Sequence, residues 1–410
     1  MKRVHDKQPW HGLPLQCGLL VLLGGLFAAP MPAAEVGDKL WISGHLNAAV
    51  AWRDSVLEGG ESTAREFSLG IPDDGTFRYR TLALQLRYQL RTESEIIVQL
   101  SHERNGDSIV DDLRDEIEMD WAFLRHSWAS GSTLRLGRFP VPFGIFNEIR
   151  DVGTLLPTYR PASAVYLEGT FTSETIDGLG FFSRLGADRD WQLTLDLYGG
   201  ESQTLEAAPF DRTDLKEVRL KDYVGLQAWL QTPLEGLRLG MAAQSKELSG
   251  GQVGVLREPG GRTKVEDFLL SVDADFDRFF ARAEYRWIRP EPNPNFFGAP
   301  VELSFDRWYA QLGWRIQERW TLVAQFETAI NGFESSVLTR SIKGSGFEDL
   351  ALVISHAFSH SLVLKAEFHH LDENRFAFRP TFGPGGIRVE PSRVDLGSGS
   401  YGLVSLAVSF

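Results

Sequence analysis

The side chains with chemical reach fall in two settings. One is the stretch Pro140 to Ser173, where Phe143, Asn147, Glu148, Arg150, Asp151 and Arg160 lie among Pro140, Pro142, Pro157 and Pro161. The other is a set of charges standing two residues apart in segments that alternate polar with apolar. Arg87, Arg135, Arg282, Arg286, Arg307, Arg315 and Lys365 supply the bases, and Glu118, Asp120, Asp196, Glu284, Glu327 and Glu367 the acids. Bases on one wall of a narrow aqueous space facing acids on the other set up a transverse field that orients polar solutes and holds up apolar ones. The plainer role, cross-linking and solvating a wall, is open to any one of them. Arg138 is a special case, because alternation places it with Leu134 and Leu136 on the apolar face. It joins the group past a membrane edge, or through a bulge before Pro140 that turns it inward.

Other chemistries find less support. His102 to Ser108 (HERNGDS) is loosely similar to the His-x-Ser-Asn-Gly signature of outer-membrane phospholipases, but Arg104 stands where that signature has its serine. His369 and His370 point to opposite faces of a strand and do not clamp a metal together. No zinc, haem or P-loop pattern is present, so no cofactor is implied and no enzyme is expected. The net charge of -13 argues against nucleic acid as a partner.

What positions these residues begins with export. Lys2, Arg3 and Lys7 precede the apolar run Cys17 to Ala29, and small Ala33 and Ala34 come just before Glu35. This reads as a signal peptide over 1–34 with a single domain over 35–410. Loss of its three bases and one acid brings the charge to about -15 and removes the one cysteine. With 40 Gly, 19 Pro and 11 Trp, the remainder suits many strands and turns.

Period-2 alternation dominates from Lys39 onward. In Thr81 to Arg91, Leu82, Leu84, Leu86, Tyr88 and Leu90 share one face, while Thr81, Gln85, Arg87, Gln89 and Arg91 share the other. Segments of about ten residues match a tilted strand crossing a bilayer, apolar toward lipid and polar toward a lumen. Sixteen are expected: 40–53, 78–91, 95–104, 117–128, 131–139, 174–185, 190–199, 220–232, 236–245, 264–276, 278–288, 305–317, 319–329, 347–358, 360–371 and 400–410. Short turns alternate with eight longer loops, at 54–77, 105–116, 140–173, 200–219, 246–263, 289–304, 330–346 and 372–399. That alternation belongs to an all-β, antiparallel transmembrane barrel with periplasmic turns and extracellular loops. Trp52, Trp121, Trp128, Trp191, Trp287, Trp308 and Trp320 fall near strand ends, as an interfacial girdle requires. Acids in the outer loops, Glu58, Glu61, Glu66, Asp73, Asp74, Asp107, Asp111, Asp112, Asp115 and Glu116, suit either a solvated surface or bridging to lipopolysaccharide through divalent cations.

Sixteen strands enclose a lumen too wide for side chains to fill. The long third loop resembles the constriction loop of general-diffusion porins, and Gly137 to Asp151 (GRFPVPFGIFNEIRD) is similar to a segment of porin-like proteins related to the phosphate-selective porins. The terminal strand Tyr401 to Phe410 resembles the assembly signal of Gram-negative outer-membrane proteins. The resemblance implies passive ion transport or passage of small hydrophilic solutes, in the bacterial outer membrane among lipid and lipopolysaccharide, by a chain that assembles as a homotrimer. The arginine ladder and lysine cluster tied to phosphate selectivity are not matched, because this chain has nine lysines in all. The rival expectation is a non-conducting barrel, an adhesin or scaffold, whose third loop plugs the lumen.

Overall fold

Alternation along each segment produces a wall with two unlike faces. Leu82, Leu84, Tyr88 and Leu90 stand exposed on the outside, and Tyr79, Thr81 and Ala83 are buried within. The computed structural model describes residues 34–53, 70–72, 74–107, 116–166, 173–186, 190–207, 215–249, 262–296, 299–335, 338, 341–383 and 386–410. The expected signal peptide before Ala34 lies outside these residues, as do the loop acids Glu58, Glu61, Glu66, Asp73, Asp111, Asp112 and Asp115.

The wall has sixteen long strands. They are β1 (Leu40–Arg53), β2 (Thr76–Arg91), β3 (Ser94–Asn105), β4 (Glu118–Ser127), β5 (Thr133–Pro140), β6 (Thr175–Leu185), β7 (Gln192–Ala207) and β8 (Leu215–Gln231). The second half comprises β9 (Leu237–Ser249), β10 (Thr263–Asp275), β11 (Phe279–Pro290), β12 (Ala299–Gln317), β13 (Trp320–Ser335), β14 (Ile342–Ser359), β15 (Leu362–Gly383) and β16 (Gly386–Ser409). Each pairs antiparallel with the next, and β16 returns to β1 from Tyr401 opposite Arg53 to Ser409 opposite His45. Closure leaves the lipid-crossing backbone fully hydrogen-bonded. Two short strands extend the sheet, Ala34–Val36 on β1 and Asn293–Phe296 on β12.

Several expected loops are strand instead. The segments 200–219, 330–346 and 372–399 are invaded from both sides, most fully where β15 and β16 pair continuously to Gly383 opposite Gly386. At 24 residues β16 is about 80 Å long, far more than a bilayer needs. Alternating hydrophobicity marks only the part of a strand that crosses lipid. Beyond it, backbone pairing continues without that constraint on the side chains.

β5 is the shortest wall strand, eight residues. Its pairing with β4 ends at Ala122 opposite Arg138, and with β6 at Pro140 opposite Thr175. From Val141 the chain turns into the barrel, since Pro140 ends β5 and lacks the N–H a ladder needs. The inserted stretch holds a 3₁₀ turn, Asn147–Ile149, and a one-turn helix α1, Ser163–Tyr166. Its apolar side chains form the main core: Phe143, Phe146, Leu156, Val165 and Tyr166 pack on Ala242, Leu269, Ile288 and Tyr309 of the wall. Phe146 meets Tyr166 edge-on at 5.9 Å and lies 6.3 Å from Tyr309. Rings buried this way each contribute on the order of 2 kcal/mol. Trp121, expected in the girdle, instead lies partly buried against this internal cluster.

Candidate functional site

The third loop is fixed by buried polar groups pointing inward from the wall. Glu284 on β11 is the principal one. It accepts hydrogen bonds from Ser271 Oγ (2.6 Å), Tyr309 Oη (2.9 Å), the backbone N–H of Ile145 (3.0 Å) and the Tyr166 hydroxyl. The Tyr166 oxygen in turn accepts the Phe146 N–H at 3.0 Å. Burial pushes the Tyr166 phenol well above its ordinary range, and the nearby Glu284 charge adds to this, so the phenol stays a donor. Gly144 has φ +70°, and a Cβ there would lie 2.3 Å from the Tyr166 hydroxyl and 2.7 Å from Glu284, so the close approach requires glycine.

Further anchors run round the barrel. Arg286 donates to Val165 O at 2.6 Å and forks onto Asp267 at 2.9 and 2.6 Å, while its guanidinium lies 5.0 Å from the Phe143 ring centre. Lys246 reaches the same Asp267 at 3.2 Å. Glu327 accepts the Ala164 N–H at 2.8 Å. Lys365 donates to Gly153 O and Thr158 O, both at 2.7 Å. Asn47 on β1 donates to Tyr159 O at 3.0 Å, and Thr154 to Ser409 of β16 at 3.2 Å.

These contacts correct part of the expected lining. Glu284, Arg286, Arg307, Glu327, Lys365 and Glu367 do point inward, but all are buried, Arg286 completely, so they hold structure rather than face water. Arg307 donates to Ile330 O and Asn331 Oδ1, and Glu367 meets His369 Nε2 at 3.3 Å. Phe143 and Asn147, expected at a constriction, are buried as well, and Asn147 ties Val141 O to Glu174 O. Of the two placements expected for Arg138, the inward turn through a bulge is not the one seen. The residue faces outward beside exposed Leu136, and its guanidinium forks onto Asp177 of β6.

Most of the remaining expected residues gather on the opposite wall, while Arg282 of β11 and Arg315 of β12 lie toward the turn end of the first. Arg135 joins Glu148 of the loop at 2.9 Å and Asp196 of β7 at 3.6 Å. Arg150 pairs with Glu174 at 2.8 Å, and Arg160 lies 5.9 Å from the Tyr79 ring centre. Arg87 is near Glu95 at 3.4 Å, and Glu95 also pairs with Arg125. Arg282 and Arg315 share Asp275 at 3.4 and 2.8 Å. Glu118, Asp120 and Asp151 line a polar cavity of about 350 Å³ with Glu103, Glu116 and Glu174. Thr81, Ser202 and Thr204 complete its wall, and Arg138 lies at its rim.

Several participants escaped sequence reasoning, namely Asn47, Lys246, Asp267, Ser271, Tyr166 and Tyr309. Alternation through 264–276 turns Asp267 and Ser271 inward, whereas Lys246 falls in the expected loop 246–263, which the strand β9 overruns. The loop's two key groups, Tyr166 and Gly144, carry no periodic signal. His369, read only as unable to clamp a metal with His370, sits between Asp349 (3.2 Å) and Glu367 and stacks on Tyr401 at 4.3 Å. Among the described residues no group of three His, Cys, Asp or Glu side chains is placed to hold a metal ion.

Scans of the sequence against family models and against curated proteins find no match. Solved structures do match in fold. In-vitro folded OmpT, an outer membrane protein of Vibrio cholerae, aligns with TM-score 0.55 at 10% identity over 93% of this chain and 100% of its own. Salmonella typhi OmpF, in complex with daunomycin, gives 0.56 at 10% identity over 91% and 98%. The outer membrane channel DcaP of Acinetobacter baumannii gives 0.53 at 10% identity over 93% and 100%. The chain therefore has a porin-like fold, a closed sixteen-stranded antiparallel barrel. The exclusion of an enzyme is withdrawn on these neighbours. They include OmpT in several forms beside the channels, and likeness at 10% identity assigns the fold and leaves catalysis undecided.

Proposed function

We propose that this chain is a porin-like channel carrying small hydrophilic solutes or ions across the outer membrane of a Gram-negative bacterium. One observation carries the reading. The third loop packs its apolar side chains into a cluster running from Phe123 and Tyr198 round to Leu269 and Tyr309, is pinned by Glu284, Arg286 and Glu327 of the β11–β13 wall, and turns Glu148 and Arg150 toward Arg135 and Glu174, where the polar cavity lies. A loop so mounted narrows the lumen from one side and lines what remains with fixed charge. On this reading the constriction is Arg135, Glu148, Arg150, Asp151 and Arg160, with Arg87, Glu118 and Asp120 along the passage and Asp196 buried behind Arg135.

The finer kinship, to relatives of phosphate-selective porins, rests on Gly137 to Pro161. The acids around the cavity and the scarcity of lysine speak for a mixed passage instead of a phosphate-selective one. Removal of residues 1–34 on export and assembly as a homotrimer complete the proposal, the latter in keeping with a trimer form among the OmpT structures.

Conductance of refolded protein in a planar bilayer under a salt gradient tests the reading. Discrete open steps are expected, with a reversal potential set by the charges at the constriction. A silent, well-folded barrel overturns it in favour of a plugged scaffold or adhesin.

A further inference from the structure

The outer face of the barrel carries a charged cluster at its loop end that the channel reading does not use. Arg289 on β11, Asp306 on β12 and Lys343 on β14 belong to the outward-pointing series of their strands and converge across three hairpins. Asp306 accepts from Arg289 Nη2 at 2.8 Å and from Lys343 Nζ at 2.7 Å. The carboxylate side chain is 4% exposed, while Arg289 and Lys343 are 41% and 63% exposed. One covered acid thus holds two open cations, and the trio has a net positive charge with donors left over.

Toward the membrane middle, the same face changes character in order. Aromatic rings come first: Trp287 stacks on Phe268 at 5.4 Å and meets Tyr285 at 5.7 Å, and Trp308 lies 5.3 Å from Phe326. Exposed Leu270, Leu312 and Leu350 follow. Aromatic rings mark the headgroup level of a bilayer, so the cations stand just above it and the leucines face acyl chains. Cation, ring and aliphatic side chain in this sequence complement an amphiphile with a phosphate at its head. A guanidinium fork and an ammonium are well suited to phosphate oxygens, and Asp306 fixes both before the ligand arrives.

We propose that this face binds a phosphorylated lipid of the outer leaflet, its phosphate held by Arg289 and Lys343 and its acyl chains descending over Trp287 and Trp308. The inference rests on placement in the outer membrane and not on channel activity, so conductance and lipid binding fail independently.

The test is native mass spectrometry of the full, refolded chain in non-ionic detergent, titrated with bisphosphorylated lipid A, with its dephosphorylated form, or with inorganic phosphate. Bisphosphorylated lipid A should stay bound, and R289Q/K343Q should bind it about tenfold or more weakly through loss of charge-assisted hydrogen bonds. Removing both cations orphans Asp306, so R289Q/D306N/K343Q carries the same test without a stranded charge. Single-channel conductance of both variants should match the parent. Equal binding by the triple variant, equal binding of the dephosphorylated lipid, or displacement by inorganic phosphate would each overturn the proposal.

Discussion

The β9–β13 wall and the β2–β7 wall carry similar inward charges and put them to opposite use. On the first, Arg286, Lys246, Asp267 and Glu284 are buried beneath the third loop and paired with each other or with loop backbone. On the second, Arg87 and Arg125 keep roughly two-fifths of their side chains in water, and Arg135, which meets Glu148 of the loop, keeps 18%. The alternating pattern that turns a residue inward is common to both walls. What separates them is which surface the loop lies on. A charge in a barrel lumen acquires its role from what covers it.

Cutting out the loop should erase the difference altogether. Deleting Phe143 to Leu156 uncovers the β9–β13 wall, and single-channel conductance should rise severalfold; unchanged conductance would remove the loop from the constriction. Loosening the loop should do less. Glu284→Ala leaves the donors of Ile145, Tyr166, Tyr309 and Ser271 without their acceptor, at about 1–3 kcal/mol for each one stranded. Larger, flickering conductance and a lower unfolding temperature are expected, with Glu284→Gln milder because it keeps an oxygen. A steady parental conductance in Glu284→Ala would show that the anchor is dispensable.

On the water-facing wall the expected change is in selectivity, not size. Arg135→Ala with Arg150→Ala frees Glu148, Asp196 and Glu174 from their partners, and the reversal potential should move toward cations at nearly constant conductance. No movement would return both arginines to plain wall chemistry. The smallest electrical effect belongs to Lys365→Met, buried under the loop. Calorimetry should show a cost on the order of 1–3 kcal/mol from the stranded carbonyls of Gly153 and Thr158. A reversal shift as large as that of the arginine pair would dissolve the contrast between the walls.

The barrel itself was legible in the sequence because lipid enforces a period of two on every crossing strand. Strand number, the wet face of β2 and the departure of the chain at Pro140 follow from that rule. The overrun of β15 and β16 did not, since water imposes no such pattern on a paired strand. Nor could alternation show which inward charges meet solvent. Arg286 and Arg135 both stand in the inward series of their strands, and the path of a non-periodic loop makes the first a fully covered anchor and leaves the second partly wet. Arg138 follows the alternation outward with Leu136, without the inward bulge that was one of its two expected placements, and its charge goes to Asp177.

The anchors of the third loop also impose an order on folding. Thr154 bonds Ser409, 255 residues along the chain, Lys365 bonds Gly153 across 212, and Asn47 bonds Tyr159 across 112. Such long closures carry a large entropic cost before any of them returns stability. The socket for the loop is assembled from the first and last strands together, so it is complete only once β16 has found β1. Full docking of the loop is therefore a late event, and a chain halted before that seam closes still exposes Phe143, Phe146 and Leu156.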